Sequence, residues 1–413
     1  MKFGIIGLGY VGLATLCGLA KAGHEVIGVE KHIPKLEQLK GGTIPFHEPG
    51  MAEVLSEYQD AITWTDDIEL TSVADYVILA VGTPSREDGS CDLSYIESAL
   101  AAFKTAQKII IRSTVPPGTT NVLKMMYPAH TFAIVPEFLQ EGRALADVLK
   151  PHRVVIGSDN LEMCEELAGI YGRLGVPIVC TSPINAEFIK YASNAFLATK
   201  ISFINDLSRL ADQAGADITT IADGMGLDPR IGRSFLNAGL GYGGSCFPKD
   251  MAALLHVAQE NQLDLPVIRA ATETNASQLR YLLSKLDVTR GMRVAFLGLA
   301  FKPGTDDMRD APSVALAQQL LLQEVEVIGY DPLATWDYRQ ADTVEEALEG
   351  ADYAILVTEW EELVNLKPEA FAGMRQQRFI DARNAWKFAR DPRDVQYEGI
   401  GRMQPNVKPS TSK

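Results

Sequence analysis

At 413 residues, with 46% hydrophobic and 22% charged residues, the chain has the make-up of an ordinary globular protein with room for two or three domains. A formal net charge of −15 opposes non-specific nucleic-acid binding, so an anionic substrate would have to be held by local lysine and arginine clusters. The apolar run Phe3 to Leu8 is too short to span a membrane and carries no signal-peptide pattern, and the five cysteines lack paired spacing, so reduced thiols and a cytoplasmic location are expected.

Residues 2–7 read as a buried strand, a helical pattern follows from Val11 to Ala22, and Glu25 to Glu30 reads as a second strand. Their junction holds Gly7, Leu8, Gly9, Tyr10, Val11 and Gly12, a complete G-x-G-x-x-G in the strand-to-helix setting of a dinucleotide site. Gly7 would allow the tight turn, Gly9 would let the backbone reach a pyrophosphate, and Gly12 would let the helix pack near the strand. Glu30 would accept hydrogen bonds from the adenosine ribose hydroxyls, which favours NAD over NADP, although Lys31 and His32 beside it could receive a 2′-phosphate.

Further parallel strands are expected at Tyr76–Val81, Lys108–Ser113, Phe132–Val135 and Val154–Gly157. Polar residues follow two of them where such folds bind ligands, at Gly82-Thr83-Pro84 and Ser113-Thr114-Val115-Pro116. After another comes Pro136-Glu137-Phe138-Leu139-Gln140-Glu141, with two carboxylates four residues apart that would also suit a solvated helix face. The proline-free pattern from Asn185 to Ala214 predicts one long helix leaving the first domain. A second α/β unit is expected with strands at Arg293–Gly298, Val325–Tyr330, Tyr353–Val357 and Arg378–Asp381. It lacks a full glycine fingerprint but has a charged loop around Phe301 and Lys302, suited to a nucleotide that is bound without reacting.

Gly241-Tyr242-Gly243-Gly244-Ser245-Cys246 sets one cysteine among glycines, just before Lys249 and Asp250. Glycines let a backbone approach a ligand closely, and a nearby cation favours the reactive thiolate. Cys17, Cys164 and Cys180 read as small buried hydrophobes and Cys91 as incidental. The six histidines show no ligand spacing, so no metal is expected.

These motifs, in this order and spacing, resemble the nucleotide-sugar 6-dehydrogenases, in particular those acting on UDP-glucose, from Gly7 to about Asn384. The resemblance implies two Rossmann-like doubly wound domains joined by a long central helix and a helical dimerisation region. The expected division is 1–184 for NAD, 185–290 for the central helices, 291–401 for the UDP-sugar and 402–413 as a loose tail. It implies a four-electron oxidation of a C6 alcohol to a carboxylate with two NAD⁺, through a thiohemiacetal and a thioester on Cys246. Lys190 and Asn194, four apart on one helical face, would hold the oxyanion, though without the resemblance Lys190 reads rather as a lysine extending from an amphipathic helix. Thr114 and Glu137 would hold the hydrolytic water with Glu137 as base, Asp250 would share the proton network, and Glu141 would lie beside the nicotinamide.

For the UDP-sugar the resemblance points to Glu137, Phe138, Leu139, Lys190, Asn194, Phe235, Leu236, Gly239, Gly241, Tyr242, Gly243, Phe301, Lys302 and Arg383. Arg230 would reach into the neighbouring subunit of a homodimer built on the central helices. Val135 stands where asparagine is usual before Pro-Glu-Phe-Leu, and Ala382 where glycine is common in Asp-Gly-Arg. The alternatives are the same chemistry on GDP-mannose or a UDP-N-acetylhexosamine, a two-electron hydroxy-acid dehydrogenase that needs no cysteine, and an inactive nucleotide-sugar-binding protein.

Overall fold

The structure, a computed structural model, describes residues 1–402, so the expected tail beyond Arg402 lies outside the described residues. The chain forms two compact units. The first comprises Met1–Ser193 and Ala252–Asp264; the second comprises Asn194–Met251 and the chain from Leu265 onward.

The first unit is built on eight strands: β1 (Lys2–Ile6), β2 (Glu25–Val29), β3 (Ile62–Thr65), β4 (Tyr76–Leu79), β5 (Lys108–Ile111), β6 (Thr131–Ile134), β7 (Val154–Gly157) and β8 (Ile178–Thr181). Their order in the sheet is β3-β2-β1-β4-β5-β6-β7-β8, and β1 to β6 are parallel. The strand order reverses between β1 and β4, so the carboxyl ends of these strands open the crevice in which doubly wound folds bind nucleotides. The central strands are near-continuous apolar runs because helices cover both faces: Tyr76, Val77, Ile78 and Leu79 are all buried.

One expectation fails here. Val154–Gly157 does not continue the parallel sheet but pairs antiparallel to β6, with Ile134 opposite Gly157. An antiparallel partner starts where the previous strand ended, so the connection 135–153 needs no crossover and stays at the ligand-binding edge. That is the segment holding Glu137 and Glu141. Strands β3 and β8, both at sheet edges, were not anticipated; β8 reads Ile-Val-Cys-Thr and none of its residues is buried.

The second unit carries an all-parallel sheet of β9 (Arg293–Leu297), β10 (Glu326–Tyr330), β11 (Tyr353–Leu356), β12 (Arg378–Asp381) and β13 (Gln396–Gly399), in the order β10-β9-β11-β12-β13. Ala295, Phe296, Leu297, Ala354, Ile355 and Leu356 fill its centre at full burial. The expected long helix is present as Pro183–Ala214, beginning in the first unit and continuing into the second. No helix among the described residues is long and apolar enough to cross a membrane.

Candidate active site

In the first unit the fingerprint glycines divide their work between protein and ligand. Gly7 has φ +91°, a region that disfavours side chains. A Cβ on Gly12 would lie 1.8 Å from the Gly7 carbonyl oxygen, so Gly12 is required by helix-on-strand packing. A Cβ on Gly9 would meet nothing within 4 Å. The space before the helix Tyr10–Lys21 is left to something other than protein. No side chain caps that helix and its first turn carries no acid, which suits a pyrophosphate.

Glu30, just past β2, accepts from the His32 N–H at 3.1 Å and pairs with Lys35 at 2.9 Å. Burial pushes its carboxyl up, but Lys35 and the backbone N–H groups outweigh this and hold it below the ordinary range, so it stays an anionic acceptor for ribose hydroxyls. These features fit NAD. Glu30→Gln is expected to raise the NADH dissociation constant about tenfold in a fluorescence titration, the worth of a weakened charge-assisted hydrogen bond; an unchanged constant would place the ribose elsewhere.

The neighbouring strand ends are tied together. Thr83 Oγ1 donates to the Thr114 carbonyl at 2.8 Å, and Ser113 Oγ donates to the Val81 carbonyl at 2.7 Å. Cys91, expected to be incidental, is buried with its Sγ 3.7 Å from the Thr83 carbonyl. Cys180, expected to be buried, is exposed on β8, because an edge strand with one uncovered face does not enclose it.

Glu137 is a buried carboxylate held from two sides. Its Oε1 lies 2.6 Å from Lys190 Nζ and its Oε2 accepts from the Leu139 N–H at 2.7 Å. The two side chains are 7% and 5% exposed. Burial alone would push Glu137 up, but Lys190, the Leu139 N–H and the Arg112 guanidinium together bring it below the ordinary carboxylate range. It is therefore an anion at neutral pH. Arg112 escaped the sequence reading: it looks like the polar end of a strand, but its Nε donates to Thr15 Oγ1 and its Nη1 to the Val135 carbonyl, both at 3.1 Å.

In the second unit, Cys246 is exposed and directly precedes the helix Phe247–Glu260, with the Asp250 N–H donating to its carbonyl at 2.9 Å. Its sulfur sits at a helix N-terminus, where backbone N–H groups favour an anion. Asp250, 2% exposed, is held from two sides: Asn194 Nδ2 donates to Oδ2 at 2.6 Å, and Lys249 Nζ lies 2.7 Å from Oδ1. Lys249, read from sequence as a cation acting on the thiol, thus has Asp250 as its ion-pair partner.

The glycines of the preceding loop serve packing. A Cβ on Gly239 would lie 2.5 Å from the Ala382 carbonyl, one on Gly243 would lie 2.1 Å from the Asp310 carbonyl, and one on Gly244 would run into the Phe301 ring. Arg383 donates to the carbonyls of Val357, Gly241 and Phe301 at 2.5, 3.3 and 3.1 Å, joining three candidate segments. Phe235 sits at φ +66°, a strained conformation for an aromatic residue. Leu236 and Tyr242 are buried, and Lys302 lies over the Phe301 ring. Arg230 is exposed and pairs with Asp228.

The second sheet differs from the first at the turn after its first strand, β9. Asp331, after β10, accepts from the N–H groups of Leu299 and Ala300 at 2.7 and 3.1 Å, so a carboxylate already occupies the donors of the turn after β9.

Two Rossmann-like units, one with an intact dinucleotide fingerprint and the other with an exposed cysteine at a helix N-terminus, define an NAD-dependent dehydrogenase that takes a nucleotide sugar. Residues 1–175 match the NAD-binding domain, 184–277 the central domain and 295–388 the UDP-binding domain of the UDP-glucose/GDP-mannose dehydrogenase family. The chain belongs to this family and is a nucleotide-sugar 6-dehydrogenase. It is 39% identical to a UDP-glucose 6-dehydrogenase of Pseudomonas aeruginosa over 97% of this chain and 98% of that one. A UDP-glucose dehydrogenase from Pyrobaculum islandicum superimposes with a TM-score of 0.90 at 33% identity, covering 97% and 98% of the two chains. A UDP-D-ManNAc dehydrogenase from Pyrococcus horikoshii superimposes at 0.87 with 26% identity, covering 98% and 100%.

Proposed function

We propose that the enzyme oxidises UDP-glucose to UDP-glucuronate by four electrons, holding the sugar on Cys246 between the two oxidations. The observation that carries this reading is Cys246 at the head of a fourteen-residue helix, one turn before a carboxylate pinned by Asn194 and Lys249. The choice of sugar is supported by the higher identity to the UDP-glucose enzymes than to the UDP-D-ManNAc enzyme.

The balance is one primary alcohol, one water and two NAD⁺ giving one carboxylate, two NADH and three protons. When bound, the nicotinamide accepts the hydride in each oxidation. The Cys246 thiolate adds to the aldehyde carbon, forming a carbon–sulfur bond and an oxyanion that takes up a proton. Loss of the second hydride from that carbon, together with the hydroxyl proton, leaves a thioester. Water then adds to the thioester, the carbon–sulfur bond breaks, and thiolate and acid separate. Glu137 is the base for that water: its carboxylate is anionic and preoriented by Lys190 and Leu139. Lys190 and Asn194 are the oxyanion donors, and Asp250, held by Asn194 and Lys249, shares the water and proton network. We assign Gly7, Gly9, Tyr10, Val11, Gly12, Glu30, Thr83, Thr114 and Glu141 to the cofactor, and Phe301, Lys302, Arg383 and the 235–243 loop to the UDP-sugar, with functional divisions at 184/185 and 290/291.

A homodimer through the central helices is part of this proposal. Phe196, Phe203 and Leu210, seven residues apart, are 65%, 48% and 66% exposed on one helix, an apolar stripe that a second copy would cover. Light scattering should give twice the chain mass; a monomer would overturn this part and the role of Arg230 in a neighbouring site. The substrate choice is tested by kcat/KM on UDP-glucose, UDP-N-acetylmannosamine and GDP-mannose. A value highest on either of the last two would keep the dehydrogenase and reject the assigned sugar.

A further inference from the structure

Away from the fingerprint, the first unit leaves a cavity of about 150 Å³ among the helices Tyr10–Lys21, Ala144–Leu149 and Leu161–Tyr171. Leu19, Val148, Ile170 and Leu174 line it, and a space of this size admits a small aromatic body. Its polar lining is one-sided. Arg112, Arg153, Arg173, His24 and His152 line it with a single carboxylate, Asp147, in a protein whose net charge is −15, and Glu166 borders an adjoining hollow with His24 and Arg173. Asp147 is already engaged by the Gln140 N–H at 3.0 Å and Arg143 Nε at 3.2 Å.

A second observation points to a missing ligand group. His24 is 8% exposed and its Nδ1 is buried with no hydrogen-bond partner. Burial and the neighbouring positive charges of the chain terminus and Arg173 keep this imidazole on the neutral side of its ordinary value. A buried polar atom left unpaired costs stability unless something supplies its bond.

We propose that this cavity binds a compact organic carboxylate, its apolar body between Leu19 and Leu174 and its carboxylate on Arg173 and His24. An apolar enclosure with a few convergent polar groups is the ordinary form of a small-molecule site. It is separate from the dinucleotide fingerprint, though Phe138 and Leu139 form part of its wall, with the Arg153 guanidinium 3.7 Å from the centre of the Phe138 ring.

The test is calorimetric titration of 2-naphthoate into the full chain, repeated with uncharged 2-naphthalenemethanol, with the Arg173→Gln variant, and in saturating NAD or UDP-glucose. Saturable binding of one naphthoate per chain is expected, about tenfold weaker for the alcohol and for the variant, as loss of a charge-assisted contact implies. NAD and UDP-glucose should leave it unchanged. The proposal fails if binding does not saturate, if the alcohol or the variant binds equally well, or if either nucleotide displaces the probe. Equal melting temperatures of variant and parent ensure that the comparison reads binding and not folding.

Discussion

Cys246→Ala is expected to abolish formation of the sugar acid, lowering its rate by at least ~10³-fold, as loss of a nucleophile does in other covalent enzymes. The fold should be indifferent to the change. Cys246 is exposed, and the hydrogen bond that anchors the start of its helix uses its backbone carbonyl, which alanine retains. A change in unfolding free energy no larger than that of a neutral surface substitution, about 0.5 kcal/mol, should accompany the loss of activity. Alkylating the wild-type thiol should inactivate equally, and prior binding of UDP-glucose should slow that reaction. Acid formation at the parental rate in the alanine variant would remove Cys246 from the chemistry and overturn the covalent route.

Lys190→Met should damage stability and rate together. The Lys190–Glu137 pair is buried, so removing the ammonium leaves a carboxylate without its counter-charge, a change that costs about 3–5 kcal/mol in comparable buried pairs. Burial is the largest influence on Glu137 and acts upward, so without Lys190 the carboxyl should rise from its depressed position. In the parent, a carboxyl held below its unfolded value of 4.5 stabilises the fold above that pH, and this contribution disappears as pH falls through the folded value. In the variant that contribution should be gone, and the loss of stability should be largest near neutral pH and shrink as acid protonates the carboxyl. Turnover should fall by roughly 10²–10³-fold through loss of an oxyanion donor. Thermal melts at pH 4 to 8 and steady-state rates check both parts. The double variant Lys190→Met, Glu137→Gln should regain part of the stability but none of the activity, which separates a charge left alone from a packing defect. Unchanged melting in the single variant would mean that the ion pair does not form as described.

The parts of this enzyme most legible in its sequence are those where backbone geometry dictates the residue. Gly7 at positive φ and Gly12 against the Gly7 carbonyl follow from the turn itself, so their spacing announces the dinucleotide site. The central strands were equally plain, because burial on both faces demands unbroken apolar runs such as Ile109 to Ile111. Edge strands obey no such demand, and Ile62–Thr65, Ile178–Thr181 and Gln396–Gly399 went unseen for that reason. Direction was also hidden: nothing in Val154–Gly157 distinguishes a parallel strand from the antiparallel one it forms.

Within the candidate site, residue types were readable but partners were not. The 137–141 carboxylates left a solvated helix face open, whereas Glu137 is buried on Lys190, fifty-three positions away. The cysteine loop was read as glycines yielding to a ligand, yet at Gly239, Gly243 and Gly244 the close neighbours are Ala382, Asp310 and Phe301 of the protein itself. Arg112 and Asp331 had no motif to mark them. Each acts through backbone groups brought near only by the folded sheet.

The central claim is that one active cysteine carries the sugar through two oxidations, and counting NADH formed per UDP-glucose consumed, with UDP-glucose limiting, tests it most directly. The account predicts two NADH and one UDP-glucuronate per sugar, with no free aldehyde accumulating. One NADH per sugar, with an aldehyde as the product, would contradict it.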